Sequence, residues 1–316
     1  YQDAVATEME YVFKDAEINF AIVEDQEQVD KLLEFLPNTP FLKFIIFDDI
    51  RGLSNYSSPT LLSYDALRFR GQNFDEKYPL WFFDEVEKTK SEDTSIILYT
   101  SGSTGKPKGV CISHCAWIMA AHSDVKFDNL TSKDSILSYL PMAWVGDHLF
   151  SYAQAIIAGF TVNCPESNDT VLQDLREIGP TYYFAPPRIF EDLLTQVTIR
   201  MEDAGRLKKW IFRKGLKVAK EVGVRIVDRK SVPLTAHILY GFFNLVLYRP
   251  LLNVLGLSRV RVAYTAGAAI GPDLFNFYRS LGVNLKQLYG QTETVAHVCK
   301  QSDRRVNSGT VGGRME

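Results

Sequence analysis

A surplus of positive charge is the first thing this sequence lacks: 35 Lys and Arg stand against 38 Asp and Glu, for a net charge of −3 and a pI near 6.0. Without a basic excess the chain cannot neutralise a nucleic-acid backbone, so no nucleic-acid partner is expected and an anionic ligand has to be met by a local arrangement. Cysteine is sparse. Cys111, Cys115, Cys164 and Cys299 form no CxxC pair and show no disulfide spacing, a usage that fits a reducing compartment, and a cytoplasmic location is expected. Cys111, His114 and Cys115 lie close together, but no second cluster supplies the other ligands of a closed zinc site, so buried structural residues are expected there instead. The opening YQDAVATEMEYVF has neither a charged n-region nor an apolar h-region and does not read as a signal peptide. It begins without an initiator Met inside a helical pattern (Ala4, Val5, Met9, Val12), and the chain closes on GTVGGRME, so both ends are expected to be cuts. Internal repeats and low-complexity tracts are missing too.

What is there is the composition of a globular chain: 316 residues, 46% hydrophobic and 23% charged, enough for two packed α/β lobes. One stretch, residues 236–257, is apolar over the length a spanning helix needs, but His237, Asn244, Arg249, Pro250 and Asn253 interrupt it. Pro250 would break or kink a helix and Arg249 would sit in hydrocarbon, so two helical pieces against a core are expected. The segment before it, 206–230, interleaves Lys208, Lys209, Arg213, Lys214, Lys217 and Lys220 with Leu207, Trp210, Ile211, Leu216 and Val218. That basic amphipathic pattern admits peripheral contact with an anionic membrane surface, with a solvated helix face as the plainer reading.

Hydrophobic periodicity gives helices near 3–14 and 27–35 and strands at 20–24 and 44–47, then a connection at 48–80 holding one short helix (60–68). Ser95–Thr100, SIILYT, reads as a buried strand entering a glycine-rich loop. Beyond it, helices near 114–122 and 147–158 alternate with strands at 135–140 and 161–164. A second alternation comes next, with a helix at 171–178, a strand at 182–185, a long helical zone at 188–256, a strand at 260–266, a helix at 272–281 and a strand at 284–289. The expected fold class is α/β, two lobes with mostly parallel sheets, divided as residues 1–175 and 176–316.

The stretch from Tyr99 to Val110, YTSGSTGKPKGV, puts three glycines, four hydroxyl residues and two lysines into one turn after a strand. Glycines let backbone N–H groups approach an anion, hydroxyls add donors and lysines add charge, a composition suited to a polyphosphate. It is not a Walker P-loop, because Gly105-Lys106 is followed by Pro107, which has neither a hydroxyl nor an N–H.

The same stretch resembles the signature loop of the adenylate-forming (AMP-binding) superfamily, which includes acyl-CoA synthetases, firefly luciferase and peptide-synthetase adenylation domains. The resemblance implies that the loop, with Thr100, Ser101, Gly102, Ser103, Thr104, Gly105 and Lys108, holds the β- and γ-phosphates of ATP and favours pyrophosphate as leaving group. Two further motifs stand in the family's order. Tyr289-Gly290-Gln291-Thr292-Glu293 resembles the YGxTE segment, implying that Tyr289 lies against adenine, that Gly290 and Gln291 also bind the nucleotide, that Thr292 contacts the α-phosphate and that Glu293 holds Mg²⁺, with Thr104 a second candidate metal ligand. Thr265 to Ala269 resembles the loop that approaches adenine, implying nucleotide contact for Gly267, Ala268 and Ala269; Ala266 stands where a Gly is common.

Leu140 to Asp147 is similar to the segment beside the substrate carboxylate, with Trp144 where relatives carry His or another aromatic. Peptide-synthetase domains place an Asp near that aromatic to pair with an amino group; here Ala143-Trp144 supplies none, which disfavours an amino acid. The helical zone 188–256, the Ala185–Arg188 junction and the run up to Gly267 look most like bacterial long-chain fatty acyl-CoA ligases, whose acyl tunnel apolar side chains line. Trp144, with Gly267, is then a candidate for the substrate pocket. The implied chemistry is activation of a fatty acid to acyl-AMP and transfer to CoA, with no covalent nucleophile. The alternatives are another carboxylic acid or a non-catalytic nucleotide- or acyl-binding relative. The family's ribose-binding Asp, its hinge and its small C-terminal domain with an adenylation Lys have no counterpart here, so this stretch alone is expected to bind ATP with weak or no turnover.

Overall fold

The computed structural model describes residues 1–101, 105–303 and 305–314. Two compact units make up the chain, Tyr1–His114 and Cys115–Glu316.

In the first unit, strands β1 (Phe20–Val23), β2 (Phe44–Phe47) and β3 (Leu61–Ser63) form a parallel sheet in the order β1-β2-β3. Helix Gln26–Phe35 starts where the Asp25 carboxylate accepts the Gln28 N–H at 3.1 Å, and its Val29, Leu32 and Phe35 are buried at a helical spacing. Each such side chain contributes about 1.5–3 kcal/mol by leaving water, and together with Ile45 of β2 and Leu53 they form the unit's core. A helix over 60–68 is replaced by β3 followed by helix Tyr64–Lys77. The Ser63 hydroxyl accepts the Ala66 N–H at 3.2 Å and fixes the helix start, which leaves Leu61 and Leu62 free to pair with β2. Neither that helix nor Trp81–Lys88 buries a residue. β4 (Thr94–Thr100) also departs from expectation: it pairs antiparallel with β5 (Lys108–Ser113) in a two-stranded hairpin, and only its Leu98 is buried.

In the second unit, helix His114–Asp128 leads to a parallel pair, β6 (Ser135–Leu137) and β7 (Thr161–Asn163). Strands β8 (Tyr182–Phe184), β9 (Val262–Thr265) and β10 (Leu285–Tyr289) run parallel, and β11 (Cys299–Lys300) and β12 (Gly313–Arg314) extend the sheet antiparallel, in the order β12-β11-β10-β9-β8. The division between units falls at His114/Cys115, whereas the sequence reading placed it after residue 175. Residues 128–135 are bound to segments far downstream in the chain: the Arg261 guanidinium donates to Asp134 Oδ1 at 3.2 Å and to the Asp128 carbonyl at 2.8 Å, and the Ser135 N–H to the Thr181 hydroxyl at 2.9 Å.

The helical zone comprises Pro187–Glu202, then Arg206–Val218 continuing through a π-helical turn (Ala219–Gly223) into Val224–Val227, and Leu234–Phe243 continuing through a second π-helical turn (Asn244–Tyr248) into Arg249–Val254. Pro250 therefore does not divide the run. It sits in the first turn after the π turn, where the widened backbone tolerates its missing N–H. Among the described residues no helix is long and apolar enough to cross a membrane.

Candidate functional site

In the first unit the phosphate-type loop closes the β4–β5 hairpin. Thr100 and Lys108 are register partners, so the hydroxyl and the ammonium expected to meet phosphate stand opposite one another at the loop's base. Ser101 and Gly105 are exposed. Gly102, Ser103 and Thr104, the last also a candidate metal ligand, lie outside the described residues. The hairpin is tied down on one side: the Tyr99 hydroxyl donates to Asp15 at 2.6 Å and Lys106 Nζ lies 5.1 Å from the centre of the Tyr11 ring. Burial, reinforced by the Asp15 carboxylate, pushes the Tyr99 phenol well up, so it stays a donor. Gly109 is Tyr99's cross-strand partner, and a Cβ there would meet Ile97 Cγ2 at 2.8 Å and the Tyr99 ring at 3.2 Å, so cross-strand packing favours the glycine of the PKG close.

In the second unit the other two motifs meet. β9 and β10 are parallel neighbours with Gln287 opposite Thr265, so the loops leaving their carboxyl ends lie side by side, the position where open parallel sheets bind ligands. Gly267, Ala268 and Ala269 are exposed; Gly267 takes a left-handed φ of 88° with nothing within 4 Å of a would-be Cβ. This is a flat, open platform. Tyr289 ends β10 with its side chain exposed. Gly290 is there for a different reason: a Cβ would lie 2.0 Å from the Ala296 carbonyl oxygen and 2.3 Å from His297 Cα, so the returning chain excludes any side chain. Gln291, expected at the nucleotide, caps the single turn Thr292–Thr294 reciprocally with Thr294. That turn presents Thr292 half-buried and Glu293 exposed, with no ion pair or hydrogen bond to Glu293 among the described residues.

Trp144 belongs to the same edge. Its ring stacks on Phe184 at the end of β8, centroids 5.3 Å apart, and folds over Gly146, where a Cβ would meet it at 2.6 Å. Asp147 is buried, and its Oδ1 accepts the hydroxyls of Ser138 and Ser151, both at 3.0 Å. That oxygen is held by hydroxyls from both sides of the Val145–Asp147 turn.

Sequence reading missed the polar cluster beneath the motifs. Lys300 Nζ is fully buried between Asp124 Oδ1 and Asp128 Oδ2, both at 2.8 Å. Lys286 Nζ lies 3.2 Å from Asp128 Oδ1 and 2.8 Å from Asp303, the Tyr264 hydroxyl donates to Asp128 at 2.7 Å, and His297 Nε2 lies 3.2 Å from Asp124 Oδ1. Burial alone would raise the Asp128 carboxyl, but Lys300 and Lys286 outweigh it and hold it below the usual range. Burial likewise opposes the Lys300 charge, and the two carboxylates overcome it, so the ammonium persists. His297 goes the other way: burial lowers its pKa in spite of Asp124, favouring neutral imidazole. The only sequence signal was Asp124 and Asp128 at i, i+4 on one helix.

Group by group, the second unit offers an open platform, an exposed aromatic, a hydroxyl and a free carboxylate at one sheet edge, and the first unit offers the hairpin loop. The model of the AMP-binding enzyme family matches residues 1–315. The chain belongs to that family. Long-chain-fatty-acid–CoA ligase ACSBG2 of Rattus norvegicus is 26% identical over 331 aligned residues, which cover 98% of this chain and 47% of the relative. The peroxisomal long chain acyl-CoA synthetase 7 of Arabidopsis thaliana is 26% identical over 292, covering 89% and 38%. Among solved structures, a long-chain-fatty-acid-CoA ligase (FadD1) from Archaeoglobus fulgidus superposes with a TM-score of 0.61 at 17% identity, over 99% of this chain and 51% of that one, a likeness of fold. The chain spans about half the length of these proteins or less. The family assignment and the α/β fold with parallel sheets both agree with the sequence reading.

A magnesium ion, general to ATP chemistry, fits what is present. No three His, Cys, Asp or Glu side chains converge on a metal site among the described residues, and Mg²⁺ needs no such cage. It takes one or two carboxylates, phosphate oxygens and water, and Glu293 is an unpaired hard-oxygen donor at the open edge.

Proposed function

We propose that the protein containing this chain activates a long-chain fatty acid with ATP, releasing pyrophosphate, and passes the acyl group to CoA. A carboxylate oxygen attacks the α-phosphorus and pyrophosphate leaves; the CoA thiol then attacks the acyl carbonyl carbon and AMP leaves. In this reading Thr100, Ser101, Lys108 and the loop residues Gly102 to Gly105 bind the β- and γ-phosphates. Gly267, Ala268, Ala269 and Tyr289 receive adenine, Thr292 donates to the α-phosphate, and Glu293 holds Mg²⁺, which neutralises phosphate charge when bound. Gly290 and Gln291 shape the turn that presents these residues to the nucleotide. The carrying observation is the unpaired Glu293 beside the open Gly267 platform at the carboxyl edge of a parallel sheet. The fatty-acid assignment draws on the names of the curated relatives and on Ala143-Trp144, which supply no Asp beside the aromatic to pair with an amino group. Trp144, stacked on Phe184 of β8, borders the acyl pocket. The test is pyrophosphate release by the full-length protein with Mg-ATP and acids from acetate to oleate, plus aromatic and amino acids, with and without CoA. Release peaking with long chains supports the reading; release with another acid class moves the substrate, and none with any acid refutes it.

A second element of the proposal is peripheral contact with an anionic membrane on the cytosolic side, where four free cysteines are at home. Helix Arg206–Val218 carries six cations and no acid, with Leu207 70% and Trp210 57% exposed. It packs on the apolar run 234–254: a Cβ at Gly215 would touch Leu247 and Phe243, and the Tyr248 hydroxyl donates to the Gly215 carbonyl at 2.7 Å. That run exposes Leu234, Ile238, Phe242 and Leu245 along one face. A cationic helix beside an exposed apolar stripe matches the headgroup boundary of anionic lipid. Co-sedimentation with phosphatidylglycerol vesicles, absent with phosphatidylcholine alone and lost in high salt, is the expected result.

A further inference from the structure

The loop that carries Glu293 is strained. Val295 and Ala296 are consecutive non-glycine residues at φ 54° and 77°, and a β-branched residue in the left-handed region is a rare and costly state. Such strain persists only where the surroundings over-determine it. The turn Thr292–Thr294 is three residues long and cannot do so itself. Four internal backbone bonds close the loop: Thr294 N–H and Ala296 N–H to the Gln291 carbonyl and Val295 N–H to the Thr292 carbonyl, all 3.1 Å, and Val298 N–H to the Tyr289 carbonyl, 2.7 Å.

We infer that the buried Asp124–Asp128 pair is a clamp on this loop, with Lys300, Lys286 and His297 as positioning residues for the Mg-ATP site. Both legs of the loop end on one helical turn. The outgoing leg, β10, delivers Lys286 to Asp128; the returning leg delivers His297 to Asp124 and, through β11, Lys300 to both carboxylates. Gly290 lets the returning leg lie against the outgoing one. Two ammonium groups face two carboxylates, and Asp303 adds a third carboxylate at Lys286. A buried ion cluster of this kind is a poor source of stability, since well-packed apolar side chains often serve as well or better. What it supplies is a fixed register: Lys286, His297 and Lys300 each meet the carboxylates from a set position on their strand or loop leg, so a slip of β10 or β11 would leave a buried charge unpaired. The loop between them is held in its strained form before any ligand arrives, with Thr292 and Glu293 already presented.

The inference rests on the ATP-dependent reading of the site, and its test separates the two. In full-length protein, Lys300→Met and His297→Ala are compared with Leu32→Ala, a cavity in the core of the Tyr1–His114 unit, by amide exchange and by pyrophosphate release. The clamp predicts that the first two variants exchange the Ala296 and Val298 amides about tenfold faster or more, whereas Leu32→Ala leaves those amides unchanged. It also predicts a KM for Mg-ATP raised about tenfold to a hundredfold with the KM for the acid within about twofold. If Lys300→Met misfolds, the test stands on His297→Ala, which keeps every lysine–aspartate pair of the cluster. Unchanged exchange in a folded variant overturns the clamp even in an active enzyme. A wild-type protein that releases no pyrophosphate overturns the ligase reading, while amide exchange still decides the clamp.

Discussion

Replacing Gly290 by alanine forces a movement that the structure sizes in advance. The new Cβ would sit 2.0 Å from the Ala296 carbonyl oxygen and 2.3 Å from His297 Cα, against a floor of 3.0 Å for real Cβ contacts. Both obstacles are backbone, so no rotamer change relieves them, and the two legs of the loop must part by about 1 Å in a close-packed region. The 2.7 Å bond from Val298 N–H to the Tyr289 carbonyl spans that gap and would be lost. Overpacking costs about 1–3 kcal/mol and the bond about 1 kcal/mol more, a total well inside the roughly 5–15 kcal/mol stability of a domain. The variant therefore folds, with its melting temperature lowered by roughly 5–15 °C. The same displacement moves Thr292 and Glu293, and an error of about 1 Å in a reacting geometry costs on the order of a hundredfold in rate. Gly267→Ala is the comparison: its Cβ meets nothing, and only the left-handed φ is penalised, by about 1 kcal/mol. Thermal melting and pyrophosphate release at varied Mg-ATP are the assays. A Gly290→Ala protein with wild-type melting and wild-type KM for Mg-ATP would refute both the packing argument and the placement of Glu293.

Glu293→Gln removes an exposed carboxylate without partners, so stability is expected to change by less than about 0.5 kcal/mol while the Mg²⁺ concentration for half-maximal pyrophosphate release rises at least about tenfold; an unchanged Mg²⁺ dependence would remove Glu293 from the metal site. Acid should weaken the second unit in two steps, read as urea midpoints against pH. His297 has its folded pKa lowered by burial, so the unfolded chain takes up the proton first and stability falls once pH drops below about 6.5. Burial raises the carboxyls of Asp128, Asp134 and Asp303, but their basic partners hold all three below normal, so their contribution is complete above about 3.9 and is lost as pH falls through the lower folded values. His297→Gln should abolish the first step and keep the second; an unaltered first step would assign it elsewhere. Trp210→Ala combined with Lys214→Glu should reduce sedimentation with anionic vesicles at least about fivefold and leave pyrophosphate release with a soluble short-chain acid unchanged.

Local chemistry and short-range pattern were sufficient for much of this protein. YTSGSTGKPKGV, YGQTE and TAGAA each place glycine and hydroxyl residues within a few positions, the first two with charge beside them, so the family was readable from the chain. Hydrophobic periodicity likewise placed β1, β2, the helix Gln26–Phe35 and the β8, β9 and β10 strands, because alternation and helical spacing are properties of neighbouring residues. Tertiary structure decided the rest. The antiparallel β4–β5 hairpin depends on a partner across the loop, and the division after His114 depends on Arg261 reaching back to Asp134. Gly290 and Gly267 look equivalent in sequence, yet one is required by a returning backbone and the other is open to a ligand. The clamp at Asp124 and Asp128 joins residues more than a hundred positions apart, and no local pattern records which distant lysine a buried carboxylate will meet, since burial and pairing exist only once the chain has closed on itself.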